Sequence, residues 1–196
     1  MEKYFKNYNL DISEEVLKKF NIYATELIEW NNKFNLTSHT ELDKIAIWHF
    51  IDCCLIYNIL NLKNEKIIDM GSGAGFPGMI FAILNPNLNI LLVDSVLKKI
   101  TFLEHIKKLL DIKNVEIKHI HLTQKNNLNE KFDCVISRAF MKPNELITFS
   151  KNYITKSGKL FMLLTENQKN EFKVNKGELF SYLFEGQFRY VLKLEG

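Results

Sequence analysis

Residues 67–78 read Ile-Ile-Asp-Met-Gly-Ser-Gly-Ala-Gly-Phe-Pro-Gly, and this glycine-rich stretch constrains the fold more than any other part of the chain. Two β-branched residues lead into Asp69, four glycines follow, and an apolar run with helical character begins at Met79. This order predicts a strand, a tight turn and a helix start, the arrangement that brings a nucleotide-like ligand against bare backbone. Glycine is favoured there because a Cβ would block both the turn conformation and the close approach of a ligand.

Two kinds of ligand fit such a loop. The last three of its four glycines have the G-x-G-x-x-G spacing of a dinucleotide site, which points to NAD. Asp69, however, precedes Gly71 by two residues, where its carboxylate would repel a diphosphate but can accept a hydrogen bond from the ammonium group of S-adenosylmethionine. Pro77 also lacks an N–H near the helix start, which weakens an amide cradle for a pyrophosphate. The loop therefore favours S-adenosylmethionine, and the alternatives are a dinucleotide site and a turn without a ligand.

The composition is that of one globular domain. The 196 residues are 46% hydrophobic and 25% charged, and no apolar run is long enough for a transmembrane helix. Because the N-terminus does not resemble a signal sequence either, we expect a cytoplasmic monomer with no membrane partner. The formal net charge of +3 permits binding to nucleic acid without requiring it.

The cysteines give no sign of a disulfide framework or of a metal site. Cys53 and Cys54 are adjacent in a helical pattern and Cys134 lies in a predicted strand, so all three are expected to be small buried side chains. His49 stands four residues before Cys53, but no further ligands accompany the pair. We therefore expect no bound metal.

Two helices are predicted before the glycine loop. The first starts at Ser13 and presents one apolar face as far as Trp30. A polar break follows, and the second helix starts at Thr40 and continues to about Ile59. These helices predict an N-terminal cap, residues 1–62, on a core formed by residues 63–196.

Strands and helices alternate in the core. The predicted strands are 66–70, 89–94, 115–120, 132–137 and 159–164, followed by two strands of a hairpin within 179–194. The predicted helices are 77–84, 96–110 and 143–151. Segment 167–177 is weakly patterned and is expected to be mobile. The alternation predicts an α/β fold with a doubly wound, mostly parallel sheet of seven strands.

Asp94 ends the second predicted strand, 19 residues after Gly75. This offset is usual for an acid that accepts both hydroxyls of a ribose, and the alternative role is to cap the helix that follows. In a doubly wound sheet the loop after the third strand should lie beside the adenine. Leu122 and Thr123 would then supply an apolar wall and a polar contact to the adenine edge.

The fourth predicted strand delivers Ser-Arg-Ala-Phe, residues 137–140, to the edge of the sheet where ligands bind. Arg138 can pair there with a carboxylate or a phosphate, and Phe140 can stack on a base. Arginine occurs elsewhere only at Arg189, so in this lysine-rich chain a planar, fork-shaped donor is favoured over a plain surface charge.

Two methylation chemistries lack their usual residues. Attack on a pyrimidine ring carbon needs a cysteine nucleophile, typically after proline, and none of the three cysteines follows proline. Ser-Arg-Ala-Phe also stands where methylation of an exocyclic amine usually has an Asn/Asp-Pro-Pro-aromatic turn. A ring nitrogen such as guanine N7 carries a free lone pair and needs only positioning in line with the methyl group. Lysines between residues 98 and 125 fit a phosphate-tracking surface as well as a solvated helix face.

Several motifs occur together in a fixed order. They are Asn-Leu-Thr-Ser at 35–38, His49 with Asp52, the glycine loop from Asp69, Leu-Val-Asp-Ser at 92–95, Phe102-Leu103, and Ile-Ser-Arg-Ala-Phe at 136–140. With this combination the chain resembles, over residues 23–193, the bacterial 16S rRNA guanine-N7 methyltransferase G family, also called glucose-inhibited division protein B. The glycine loop alone is typical only of the wider class.

This resemblance implies a class I, Rossmann-like methyltransferase that uses S-adenosylmethionine to methylate N7 of a guanine in 16S rRNA, either free or in the small ribosomal subunit. By position, the implied cofactor contacts are Gly71, Phe76, Asp94, Leu122, Thr123 and Arg138. The glycine loop itself adds Asp69, Gly73 and Gly75 to the cofactor-binding set. The residues expected on the catalytic side are Asn35, His49, Asp52 and Arg138.

The chain departs from the family pattern mainly where RNA would dock. Trp48 replaces an arginine, Cys53 a serine and Leu164 a lysine, an arginine near His39 is missing, and Thr123 replaces an acid. A non-catalytic RNA-binding factor for ribosome assembly is therefore an alternative function. An NAD-dependent oxidoreductase is the other alternative, from the literal glycine spacing.

Overall fold

The computed structural model describes residues 1–171 and 177–195. In these residues seven strands form one sheet: β1 (Lys66–Met70), β2 (Asn89–Asp94), β3 (Val115–His119), β4 (Phe132–Arg138), β5 (Ile154–Thr165), β6 (Glu178–Phe184) and β7 (Gln187–Glu195). Their order is β3-β2-β1-β4-β5-β7-β6. The first five strands are parallel, and β7 runs antiparallel to both of its neighbours.

Helices cover both faces of this sheet. They are α1 (Glu2–Asn7), α2 (Glu14–Phe34), α3 (Leu42–Ile45), a π-helical segment (Ala46–Ile51), α4 (Asp52–Leu60), α5 (Gly78–Leu84), α6 (Leu97–Leu109), α7 (Pro143–Ser150) and α8 (Glu166–Glu171). The adjacent residues Ile67 and Ile68 of β1 belong to separate apolar clusters, because successive side chains of a strand point to opposite faces. The predicted doubly wound α/β fold is confirmed.

The N-terminal helices share one apolar core with the first face of the sheet. Helix α2 starts where Ser13 predicts, since the Ser13 hydroxyl accepts a hydrogen bond from the Val16 N–H at 3.3 Å. Tyr23 lies on its buried side and donates to the carbonyl of Ala74 in the glycine loop at 2.5 Å. The cap therefore packs directly on the loop, and the division between residues 62 and 63 stays a prediction.

The second predicted helix is interrupted. A π-helical segment separates α3 from α4, and it carries His49. Such segments are rare and occur frequently at functional sites, because the wider turn redirects the side chains on it. Hydrophobic spacing alone did not predict this interruption.

Two short helices were not predicted, because α1 and α8 have only six residues each and too few periodic positions to recognise. Strand β5 starts at Ile154, five residues before its predicted start, across a polar stretch that contains Gly158. The predicted hairpin is confirmed, with its turn at Glu185 and Gly186.

Of the weakly patterned segment, residues 172–176 lie outside the described residues. Within the described ranges, none of the helices has both the length and the apolar character needed to span a bilayer.

Candidate functional site

A cavity of about 340 Å³, called here the first cavity, opens where β1, β2 and β4 end. Parallel strands deliver their carboxyl ends to one edge of a sheet, so residues distant in sequence meet there. Four residues singled out from the sequence line this cavity, namely Gly71, Asp94, Leu122 and Phe140. Lys99 and His121 line it as well.

The glycines of the loop are required for different reasons. Gly71 has φ +73°, and a Cβ on it would lie 2.8 Å from the Phe140 ring. Gly75 has φ +95°, and its Cβ would collide with the Tyr23 hydroxyl. Gly73 has φ +60° and donates its N–H to an Asp94 oxygen at 3.0 Å. Only Gly71 of these three lines the first cavity, so Gly73 and Gly75 shape the loop from behind.

Asp69 is fully buried beneath the glycine loop and does not line the first cavity. One carboxylate oxygen accepts from the Gly78 N–H at 2.9 Å, at the start of α5. The other oxygen has no hydrogen-bond partner within the described part of the chain. Burial raises the pKa of Asp69 to about 7, against the lowering effect of the Gly78 N–H. A direct contact with a ligand ammonium group therefore stays a prediction.

Asp94 combines the two roles considered for it. One carboxylate oxygen accepts from the Val96 N–H at 2.9 Å, immediately before α6. The other accepts from the Gly73 N–H and lies 3.5 Å from the Lys99 ammonium group. Because a carboxylate offers about four acceptor positions, Asp94 can still accept from hydroxyl groups in the first cavity.

The two residues expected beside an adenine are placed differently. Leu122 is buried and forms an apolar wall of the first cavity. Thr123 is exposed and does not line it, and its N–H donates to the Tyr153 hydroxyl at 3.1 Å. The structure brings only Leu122 into the cavity wall.

A second cavity, of about 230 Å³, adjoins the first at Ala139, which lines both. Its wall combines the ends of β4 and β5 with the hairpin of β6 and β7. Both arginines of the chain, Arg138 and Arg189, line it. A carboxylate, Asp52, lines it too, and Tyr182 and Tyr190 add aromatic surface.

Asp52 reaches the second cavity from the first residue of α4. Its Oδ1 accepts from the Tyr182 hydroxyl at 2.7 Å, and its Oδ2 lies 3.8 Å from the guanidinium group of Arg138. Burial raises the pKa of Asp52, although the Tyr182 hydroxyl and the nearby arginines oppose this. The predicted catalytic residues Asp52 and Arg138 are thus neighbours, and Tyr182 joins them.

His49 and Phe76 form a buried stack behind both cavities. Their ring centroids are 4.6 Å apart and their planes differ by 17°. His49 Nε2 lies 2.8 Å from the Thr37 hydroxyl, and burial lowers the pKa of His49 to about 3, so the ring is neutral. The Arg138 guanidinium lies over Phe76, 5.8 Å from its centroid. Neither ring lines either of these two cavities; Phe76 supports Arg138 from below, and His49 packs against Phe76.

Asn35 is exposed in a left-handed conformation at the end of α2 and lines neither cavity. The buried asparagine nearby is Asn31, whose Oδ1 accepts from the N–H groups of Leu36 and Thr37 at 2.6 and 2.8 Å. Asn31 therefore fixes the loop that holds Thr37 against His49. Sequence analysis missed this residue, because an asparagine at a helix end usually indicates only a cap.

Comparison with known proteins adds to the geometry. The family model of rRNA small subunit methyltransferase G, GidB, matches residues 16–193. The chain is 38% identical to ribosomal RNA small subunit methyltransferase G of Mycoplasma capricolum over 161 residues. This match covers 82% of this chain and 69% of the relative. It is 37% identical over 153 residues to the protein of that name from Desulfitobacterium hafniense, and this match covers 76% of this chain and 63% of the relative. The chain thus spans about two thirds of the length of these relatives.

Among solved structures, the chain is similar to precorrin-6y C5,15-methyltransferase from Geobacter metallireducens. The TM-score is 0.59 at 14% sequence identity, and the match covers 83% of this chain and 92% of that one. Sheet order and the site at its carboxyl edge define the class I, Rossmann-like methyltransferase fold. With the match over residues 16–193, the chain belongs to the rRNA small subunit methyltransferase G family. The family predicted from the sequence is confirmed.

Proposed function

We propose that this chain transfers a methyl group from S-adenosylmethionine to N7 of a guanine in 16S rRNA. The observation that carries the proposal is the meeting of two unlike cavities at Ala139, one with the Asp94 carboxylate and one with two arginines. A cofactor and a nucleotide bound side by side need this arrangement. The partner is 16S rRNA or the small ribosomal subunit, and the protein acts as a cytoplasmic monomer.

The first cavity fits S-adenosylmethionine. Because Gly71 has no Cβ, the Phe140 ring can pack against the loop and form part of the cavity wall. Asp94 would accept from the ribose hydroxyls, and Leu122 would cover one face of the adenine. When bound, the cofactor supplies a methyl group on a positively charged sulfur.

The residues around the second cavity suit positioning rather than proton transfer. His49 is buried and neutral, with a pKa of about 3, so it is a poor general acid. Burial raises the pKa of Asp52, but its two carboxylate oxygens already face the Tyr182 hydroxyl and the Arg138 guanidinium. Methylation at N7 requires neither an acid nor a base, because the lone pair of that nitrogen is the nucleophile. Arg138 and Asp52 would therefore hold the guanosine in place.

The alternative functions make different demands. An NAD site needs free amides at the start of α5, but the Gly78 N–H there already donates to Asp69. A non-catalytic RNA-binding factor would retain the arginine-lined cavity, but it would not need the first cavity with Asp94 and Leu122 in its wall. Transfer of a labelled methyl group from S-adenosylmethionine to 16S rRNA is expected of the proposed enzyme and of neither alternative.

The test is transfer of labelled methyl from S-adenosylmethionine to 16S rRNA, free and in 30S particles from a strain that lacks the modification, with 23S rRNA as the control substrate. Incorporation into 16S rRNA alone is expected, in at least one of its two forms. Asp94→Ala should transfer nothing, whereas Glu104→Ala, an exposed acid on α6, should transfer at the wild-type rate. Cofactor binding without transfer to any of these substrates would favour the assembly factor, and binding of NAD would favour the oxidoreductase.

A further inference from the structure

Arg189 lines the second cavity, but the proposed function gives it no individual role. It stands on β7, where its partners in register are Thr165 of β5 and Tyr182 of β6. Residues paired across strands project to the same face of a sheet, which explains why all three line the second cavity. The hairpin thus adds a second guanidinium group to the cavity that Arg138 lines from the end of β4.

Stacking fixes the orientation of Arg189. Its guanidinium carbon lies 5.2 Å from the centroid of the Trp48 ring. Its buried Nε has no hydrogen-bond partner among the side chains and backbone groups that the structure describes. A guanidinium stacked on an aromatic ring keeps its N–H groups pointing outward in its own plane, and little side-chain entropy remains to be lost on binding. Arg189 is therefore a preformed donor.

The charge of the second cavity favours an anion. Two guanidinium groups line it, and the carboxylate that we identify in the wall, Asp52, already has the Tyr182 hydroxyl and Arg138 as neighbours. Arg138 is thus partly compensated by a carboxylate 3.8 Å away. No such ion pair within 4.0 Å joins Arg189 to a described acid.

A nucleic acid offers such a donor two kinds of acceptor. Arginine binds guanine at O6 and N7 or binds a phosphate in a bidentate manner. The N7 edge of the target guanine must face the methyl group and is not available to an arginine. On the target nucleotide, the bidentate acceptor that remains for an arginine is the backbone phosphate.

We propose that Arg189, stacked on Trp48, binds a backbone phosphate of the RNA next to the target guanine and so positions the substrate in the second cavity. This proposal rests on the proposed function, since it assigns the position of its substrate. Arg189 is a substrate-binding residue supplied by the C-terminal hairpin, and Arg138 lines the same cavity from the end of β4.

The test measures binding of 16S rRNA and of 30S particles across a salt series in the presence of S-adenosylhomocysteine. Arg189→Gln should raise the dissociation constant about tenfold and reduce the slope of log K against log salt by about one. Arg189→Lys retains the positive charge but loses the planar, bidentate set of donors. The salt dependence of its RNA binding should therefore equal that of wild type, and its affinity should lie between those of wild type and Arg189→Gln. Lys193→Gln removes a cation from the same strand, one that is paired with Glu178 and Glu195, and should leave both values unchanged.

Affinity for S-adenosylmethionine shows whether each variant is folded, and it should equal the wild-type value. In turnover, KM for the RNA should rise in Arg189→Gln while kcat changes little. A wild-type slope and affinity in Arg189→Gln would overturn the assignment, even if methyl transfer is confirmed. Binding does not require turnover, so wild-type protein that binds RNA without methylating it would contradict the proposed function and still allow the test of Arg189. A wild-type protein that binds neither form of the RNA would overturn both.

Discussion

The two cavities share Ala139 but are constructed differently. The first uses backbone at strand ends, and its one carboxylate, Asp94, holds loop amides as well as facing the cavity. The second uses long side chains from α4, β4 and the hairpin of β6 and β7. The first is therefore encoded in short local motifs, whereas the second depends on contacts between segments that are more than a hundred residues apart.

The largest effect is expected where the loop of the first cavity touches the cap. Gly75→Ala combines a positive φ with a collision against Tyr23, so it should lower the free energy of unfolding by about 4 kcal/mol. Gly186→Ala in the hairpin turn has φ +72° but open space around it, so it should cost about 1 kcal/mol. Urea unfolding measures both. Equal losses would show that the packing of Tyr23 on the loop contributes nothing.

The next effect separates the ligands of the two cavities. Asp94→Ala should raise the dissociation constant for S-adenosylmethionine at least a hundredfold, because charge-assisted hydrogen bonds to the ribose are lost, so no transfer is expected at cofactor concentrations near the wild-type dissociation constant. Glu104→Ala, the exposed acid on α6, should leave that constant unchanged. Isothermal titration gives both values. An affinity of Asp94→Ala within threefold of wild type would contradict the ribose assignment.

Asp69 should give the loop a distinct pH dependence. Its pKa is raised to about 7, so the folded state holds a proton that the unfolded state releases near pH 4, and stability falls as pH rises from about 4 to 7. His49, with its pKa lowered to about 3, acts in the opposite direction, because stability falls as pH drops below about 6.5. The two effects oppose each other in the wild-type chain.

Asp69→Asn isolates the first of them, since the amide oxygen still accepts from the Gly78 N–H. Relative to wild type, this variant should gain about 2 kcal/mol between pH 5 and pH 8. Urea unfolding at the two pH values measures the gain. A difference that does not change with pH would show that Asp69 is ionised throughout this range.

The smallest effect concerns the second cavity. Tyr182→Phe removes the hydroxyl that donates to Asp52 and should lower the free energy of unfolding by about 1 kcal/mol. Tyr190→Phe is the matched control, since none of the described hydrogen bonds uses that hydroxyl. Unfolding in urea compares the two variants. A loss in Tyr182→Phe no larger than the loss in Tyr190→Phe would show that the hydrogen bond from Tyr182 to Asp52 does not stabilise the fold.

The parts of the fold and of the site that could be predicted from the sequence are those determined by short local patterns. Strand ends at Asp69 and Asp94 follow β-branched and apolar runs, so the sheet and the first cavity were accessible from sequence. Thr123 and Asn35 were singled out by motif, yet neither lines a cavity, because backbone bonds and a left-handed turn direct them elsewhere. Tyr182 was not foreseen, since its contact with Asp52 spans 130 residues and has no signature in either segment.

The π-helical segment shows the same limit. Its apolar residues continue the spacing of an ordinary helix, so the extra residue in the turn is invisible to periodicity. It nevertheless places His49 against Phe76 and Trp48 beneath Arg189. Packing against the sheet and the hairpin, rather than local preference, determines that geometry.

The most direct test is the chemical identity of the product. After methylation by the wild-type chain, 16S rRNA is treated with reagents that cleave the backbone at N7-methylguanine, and the cleavage site is mapped by primer extension. We predict cleavage at one guanine, dependent on S-adenosylmethionine and absent with Asp94→Ala. Labelled RNA that resists cleavage, or label spread over many nucleotides, would contradict methylation at N7 of a single guanine.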